Sequence, residues 1–259
     1  MNDASPDLVE NRPRPGTQNA AEALSLDGVR YAYPGAGHPS EPTVIDIASL
    51  RVAAGERVLL RGPSGCGKST LLSLAAGVLL PQEGQVRMRG LDWSNLGSAA
   101  RDAHRVDHVG YIFQQFNLLP YLGVLDNVLL PCGFSRQRRQ RAQTLHGSPE
   151  AAATALLQAL ELPPGLYRRP ASDLSVGQQQ RVAAARALIG QPDIVIADEP
   201  TSALDEDRRD AFMRLLVAQC AQARSALLFV SHDARLSSHF ERIIDLPTLN
   251  RAARTGPSA

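Results

Sequence analysis

Between residues 24 and 246 the chain alternates short, mostly apolar runs with longer stretches of helical period. The runs at 26–33, 47–52, 57–61, 85–88, 109–113, 194–197 and 226–230 read as strands. The stretches 68–79, 149–162, 176–189 and 207–222 place apolar residues three and four apart and read as helices, the third stopped by Gly190 and Pro192. Pro34-Gly35-Ala36-Gly37 marks a turn between the first two strands. Several strands have no polar face. They must be covered on both sides, which implies an α/β fold with a mostly parallel sheet flanked by helices. Residues 1–23 are rich in Pro, Asn, Asp and Ala without period and read as a disordered tail. Residues 247–259 read as a C-terminal tail, and no internal repeat is visible.

Two segments depart from this alternation. Residues 135–141 carry four Arg in seven positions without interleaved aromatics, and read as a solvated loop before the helix at 149. Phe116-Asn117-Leu118-Leu119-Pro120-Tyr121-Leu122 is apolar where a surface loop should be polar. It reads partly as a buried loop and partly as a groove for a short helix of a partner.

Composition narrows the function classes. With 259 residues the chain can bury a sizeable core as one α/β unit. Lys+Arg of 27 against Asp+Glu of 26 leaves no basic footprint for nucleic acid. The three cysteines, Cys66, Cys132 and Cys220, are too sparse for a disulfide framework or a zinc site, and fit a reducing cytosol. No run approaches the roughly 18 apolar residues of a membrane span, and no signal-peptide pattern opens the chain. Any membrane association is therefore expected through a partner.

The chemistry lies in three places. Gly62-Pro63-Ser64-Gly65-Cys66-Gly67-Lys68-Ser69-Thr70 follows an apolar strand and opens a helix, which is the P-loop pattern with both flanks. Its glycines let successive N–H groups face one concavity, and the helix start adds positive potential. Lys68 is placed for the β- and γ-phosphates of a nucleotide and Ser69 for Mg²⁺. Ile194-Val195-Ile196-Ala197-Asp198-Glu199-Pro200 ends a buried strand on two carboxylates, at the sheet edge where ligands bind. Asp198 is the expected Mg²⁺ holder, and Glu199 the general base toward water. Between these motifs, Leu174-Ser175-Val176-Gly177-Gln178-Gln179-Gln180-Arg181 puts a Ser and a Gly at a helix start with no nucleotide of its own.

Together these residues resemble the ATP-binding subunit of an ABC transporter, over nearly all of 24–246. The resemblance implies a P-loop NTPase core, an N-terminal antiparallel β subdomain and an inserted α-helical subdomain at about 115–180. It implies ATP and Mg²⁺ as cofactors and a homodimer in which Ser175, Gly177 and Gln178 contact the γ-phosphate of ATP held by the other subunit. Gln114 resembles the family's Q-loop glutamine, which senses Mg²⁺ and the attacking water. Asp205 resembles the dimer-interface aspartate and His232 the switch histidine. Tyr33 resembles the adenine-stacking aromatic, with Tyr31 as the competing candidate. A membrane permease is the implied partner, docking near 114–130, which places the chain on the cytoplasmic face of the membrane. Val176 stands where the family usually has Gly. The wording of 110–120 and 126–128 is most similar to the branch serving lipoprotein release and macrolide export. A regulatory, cell-division type of ATPase remains open, as does, more remotely, a soluble repair or ribosome ATPase.

Overall fold

The computed structural model of the protein describes residues 21–34, 42–202 and 204–254. Strands β1 (Glu22–Tyr31) and β2 (Ile45–Ala53) pair antiparallel, with Leu26 opposite Leu50 and Val29 opposite Ile47. β3 (Arg57–Arg61) then leaves this sheet and runs through the Gly-rich loop into α1 (Lys68–Ala75). β4 (Glu83–Met88) returns beside β1, and β5 (Leu91–Asp92) completes a sheet of order β2-β1-β4-β5. Helix α2 (Ser98–His108) leads into β6 (Val109–Ile112). Four helices follow: α3 (Val124–Phe134), α4 (Arg136–His146), α5 (Pro149–Ala159) and α6 (Val176–Leu188). β7 (Ile194–Asp198), α7 (Glu206–Ala223), β8 (Ala226–Val230), β9 (Arg242–Asp245) and α8 (Leu246–Leu249) complete the described chain. The second sheet has the order β6-β7-β8-β3-β9, and every ladder in it is parallel.

The parallel sheet is the wall between two apolar cores. Side chains alternate across a strand, so Val58 and Leu60, Ile194 and Ile196, and Leu228 and Val230 join one core with α1 and the antiparallel sheet. Leu59, Val195, Ala197, Leu227 and Phe229 join the other with α3, α5, α6 and α7. Each of the larger ones, Val, Leu, Ile or Phe, contributes about 1.5–3 kcal/mol. That burial on both faces holds the carboxyl ends of β3, β7 and β8 at one edge, where the candidate motifs lie.

Several sequence expectations need correction. The segment 135–141 is not a solvated loop. Ser135 caps α4, accepting from Arg138 N–H at 2.9 Å, and its hydroxyl donates to Asp107. The Arg138 guanidinium is fully buried, and burial lowers it to about 10, still charged at neutral pH. It donates to the carbonyls of Val106, Val109, Arg186, Ala187 and Ile189, at 2.5 to 3.5 Å. Gly190 must be glycine there, because a Cβ would lie 2.5 Å from the Arg138 carbonyl oxygen. Residues 247–254 are not a tail either, since Asn250 is buried and binds back to the β2 region. At the other end, β1 begins at Glu22, inside the expected tail; residues 1–20 of that tail, and 35–37 of the predicted turn, lie outside the described residues. β1 ends at Tyr31, two residues short of the predicted strand. α1 stops at Ala75 rather than 79, where Gly77 turns left-handed at φ 67° against the Trp93 ring.

Candidate active site

β3 delivers the chain into the loop 62–67, and Gly67, at φ 96°, leads into α1 with no side-chain cap. A Cβ at Gly67 would come within 3.0 Å of Ile45 and 3.2 Å of the Val44 carbonyl, in addition to the backbone strain. Only glycine therefore makes this entry. The first N–H groups of α1 carry no side-chain cap and point out of the sheet edge, the arrangement that binds phosphate. Lys68 Nζ donates to the carbonyls of Gly62 at 2.9 Å and Pro63 at 3.1 Å, and pairs with Glu199 at 3.2 Å. The ammonium thus bridges the loop and the acidic end of β7.

Ser69 Oγ donates to Asp198 Oδ2 at 3.1 Å, so the helix start and the strand end meet across the site. Burial pushes the Asp198 carboxyl up from its ordinary range. The neighbouring charge of Glu199 adds to this, while Ser69 and Lys68 oppose it. Glu199 lies one residue past the strand at φ 43°, with its N–H bonded to the Val230 carbonyl at 3.1 Å. A left-handed non-glycine residue costs about 1–3 kcal/mol and persists only where its surroundings impose it. Here the strain turns the carboxylate inward, to Lys68 on one side and His232 Nδ1 at 3.4 Å on the other.

The remaining predicted residues divide into two groups. Tyr33 belongs with the phosphate loop: its hydroxyl lies 3.0 Å from Thr70 Oγ1, and the residue is 48 % exposed. Tyr31, 6 % exposed, is a core residue meeting Tyr33 edge-on at 5.1 Å, so only Tyr33 offers a ring face to a ligand. Gln114 is exposed two residues beyond β6, which pairs with β7. Ser64, Gly65 and Cys66 complete the loop, with Gly65 at φ 79°. Ser175, Gly177 and Gln178 stand apart from these. Ser175 and Gln178 bind each other in a capping box at the start of α6, and Gly177 faces open space. Asp205 caps α7 by accepting from Arg208 N–H, and Ala203, two residues before it, lies outside the described residues.

Four supporting residues were not read from the sequence. Buried Gln180 donates to the Pro200 carbonyl at 3.0 Å, fixing the turn after Glu199. Asn250 donates to the carbonyls of Val44 and Cys66 at 2.8 and 3.4 Å, buttressing the phosphate loop from behind. Asp233, next to His232, is held by Arg235 and by Arg209 of α7. These hydrogen bonds and charges, the Arg235 bond foremost, lower its carboxyl to about 2. Gln180 lay inside a recognised motif; Asn250, Arg209 and Arg235 had no sequence signal.

The residues present fit a Mg²⁺–nucleotide. A hydroxyl and a carboxylate 3.1 Å apart form a hard oxygen pair beside an uncapped helix start and a buried ammonium. The sequence profile described as "ABC transporter" matches residues 45–202. The chain belongs to the ABC transporter family. It is 36 % identical over 232 residues to a lipoprotein-releasing system ATP-binding protein LolD of Chromohalobacter salexigens, covering 90 % of this chain and 94 % of that one. A LolD of Anaeromyxobacter dehalogenans is 40 % identical, with 88 % and 91 % covered. The macrolide export ATP-binding/permease protein MacB of Chromobacterium violaceum is 38 % identical over 86 % of this chain, which spans 33 % of that longer protein. Among solved structures, the dimeric ATP-binding cassette MJ0796 in a post-hydrolysis state with ADP and Pi superposes with a TM-score of 0.74 at 33 % identity, covering 88 % of this chain and 95 % of that one. As an ABC ATP-binding subunit, the protein binds and hydrolyses ATP. No helix among the described residues is long and apolar enough to cross a membrane.

Proposed function

We propose that two copies of this chain close on two ATP molecules and that hydrolysis drives a membrane permease engaged in export or extracytoplasmic release of a lipid, lipoprotein or drug-like substrate. The observation that carries the catalytic part is the position of Glu199, strained and aimed between Lys68 and His232. In this reading Lys68 holds the β- and γ-phosphates, the N–H groups of 64–70 cradle them, and Tyr33 stacks on adenine. Ser69, Asp198 and Gln114 hold Mg²⁺, which neutralises charge building on the phosphates. Glu199 accepts a proton from the attacking water. His232 orients Glu199 and contacts the γ-phosphate. Ser175, Gly177 and Gln178 serve the partner's nucleotide; among the described residues the Ser175 and Gln178 side chains bond only to each other's backbone at the helix start. Asp205 lies at the dimer interface. The dimeric state of the MJ0796 cassettes supports this arrangement.

The permease part rests on a groove of about 410 Å³ between α1, β6 and α3, lined by Val78, Phe113, Leu130 and Phe134 among others. Val78 and Phe134 are 59 % and 77 % exposed, an apolar face suited to one short amphipathic helix. The groove adjoins the predicted docking segment 114–130 and extends past it on both sides. The substrate class follows the LolD and MacB relatives. Glu199→Gln tests the mechanism: ATP binding stays, turnover falls by about a hundredfold or more, and an ATP-dependent dimer accumulates in light scattering. Normal turnover by that variant overturns the role given to Glu199. Capture of the chain from native membranes with its permease, and sequencing of that permease, tests the partner and substrate class.

A further inference from the structure

The segment that follows Gln114 has an unusual backbone. Phe116 and Asn117 are consecutive non-glycine residues with positive φ, 60° and 48°. Phe116 N–H bonds to the Phe113 carbonyl and Asn117 N–H to the Gln115 carbonyl, so the chain curls tightly just past the glutamine. Two left-handed residues in succession do not hold this shape by propensity. Phe116 is anchored by its side chain, buried in the core, and Arg186 clamps its backbone. One guanidinium nitrogen donates to the Asn117 carbonyl at 2.7 Å and the other to the Phe116 carbonyl at 2.5 Å. The left-handed turns aim both carbonyls at this one cation.

Arg186 pairs with no carboxylate among the described residues. Burial lowers its affinity for the proton, consistent with a charge satisfied by backbone oxygens alone. Its place in the sequence gives the contact meaning. Arg186 sits in the last turn of α6, whose first residue follows Ser175. Eleven residues of helix make a rigid rod of about 16 Å. One end of that rod carries the Ser175-Gly177 start, and the other end grips the Gln114 segment. Arg186 also lines the groove between α1, β6 and α3.

We propose that Arg186 is a positioning residue for ATP hydrolysis: it makes the segment after Gln114 move with α6, so that engagement of the α6 start by the partner's nucleotide sets Gln114 in its own site. This rests on the composite-site reading above. The test is a double-mutant cycle on the full-length protein with MgATP. Arg186→Ala is expected to lower kcat by about ten- to a hundredfold, as a displaced positioning contact does, with KM for ATP within about twofold. Arg186→Lys, keeping the cation, recovers part of that loss. Gln114→Ala is slow, and the double variant is no slower than Gln114→Ala alone, because both changes act through one group. Amide exchange at 113–118 accelerates in Arg186→Ala. Should that variant fail to fold, Arg186→Lys takes its place in the cycle. Losses that multiply in the double variant overturn the inference, as does normal turnover by Arg186→Ala beside a slow Gln114→Ala. Normal turnover by Gln114→Ala overturns the reading of Gln114 itself, and the coupling with it.

Discussion

Two helices of this chain begin beside a proposed phosphate, and they begin differently. α1 starts at a left-handed glycine with no side-chain cap, so its first N–H groups are left for a ligand. α6 starts at Ser175, whose hydroxyl accepts from Gln178 N–H at 3.4 Å while Gln178 Oε1 accepts from Ser175 N–H at 2.9 Å. The first helix has the ammonium of Lys68 and the Ser69–Asp198 pair beside it. The second has no such company and satisfies itself. A helix start that is open and charged can bind nucleotide in an isolated chain. One that is already capped gives up internal bonds to bind, so it engages only when a second subunit presents a phosphate at high local concentration. In the proposed dimer this difference sets the order of events: the α1 site fills first and the α6 site responds.

Breaking the first start has the larger effect. Lys68→Ala removes charge-assisted bonds worth about 1.5–3 kcal/mol each, and ATP affinity falls at least about tenfold. The thermal shift produced by saturating ATP, which reports binding by mass action, shrinks accordingly, and turnover is lost. Breaking the second start leaves that thermal shift intact. Ser175→Ala is expected to lower turnover with unchanged ATP binding by the monomer, and to cost about 1 kcal/mol of stability as the cap is lost. Ser175→Gly sharpens the comparison. Glycine caps almost as well, so stability falls by only a few tenths of a kcal/mol, while turnover falls as far as in the alanine variant. Equal stability loss in both, or turnover that tracks stability, breaks the assignment. Arg substitution at 175 acts in the same direction, suppressing hydrolysis but not monomer binding. The smallest effect belongs to Val176→Gly, an exposed position in the first turn of α6. Glycine in a helix costs about 0.5–1 kcal/mol, and turnover stays within about twofold since Ser175 and Gly177 remain.

The same contrast explains what the sequence made legible. The α1 site was readable because its parts are periodic or compositional: an apolar strand, glycines at fixed spacing, Lys68-Ser69 at a helix start, and two carboxylates ending β7. The strand pattern gave the parallel sheet for the same reason, and β3 and β8 fall at the expected positions. The helical insert was far less legible. Its helix α4 is polar nearly throughout and shows no apolar stripe, and the same holds for α2 ahead of the insert, which buries no residue. Arg138, Arg186 and Asn250 bind backbone carbonyls, and carbonyls carry no residue identity. No pattern of side chains along the chain signals such partners. Four arginines in a row of seven therefore looked like a solvated surface, although one of them is the most enclosed cation described here.

Arg138 also sets where this protein can be cut and rejoined. Exchanging the helical insert between related cassettes looks natural at the chain positions that enter and leave it, after β6 and before α6. That seam would separate a fully buried guanidinium from the carbonyls of Val109, Ala187 and Ile189 that satisfy it. A donor insert with an apolar side chain at 138 would orphan those oxygens, and one with a bulkier residue facing Gly190 would collide with the turn. A workable chimera must carry residues 106–109 and 186–190 together with α4, so the exchangeable piece is larger than the helices themselves.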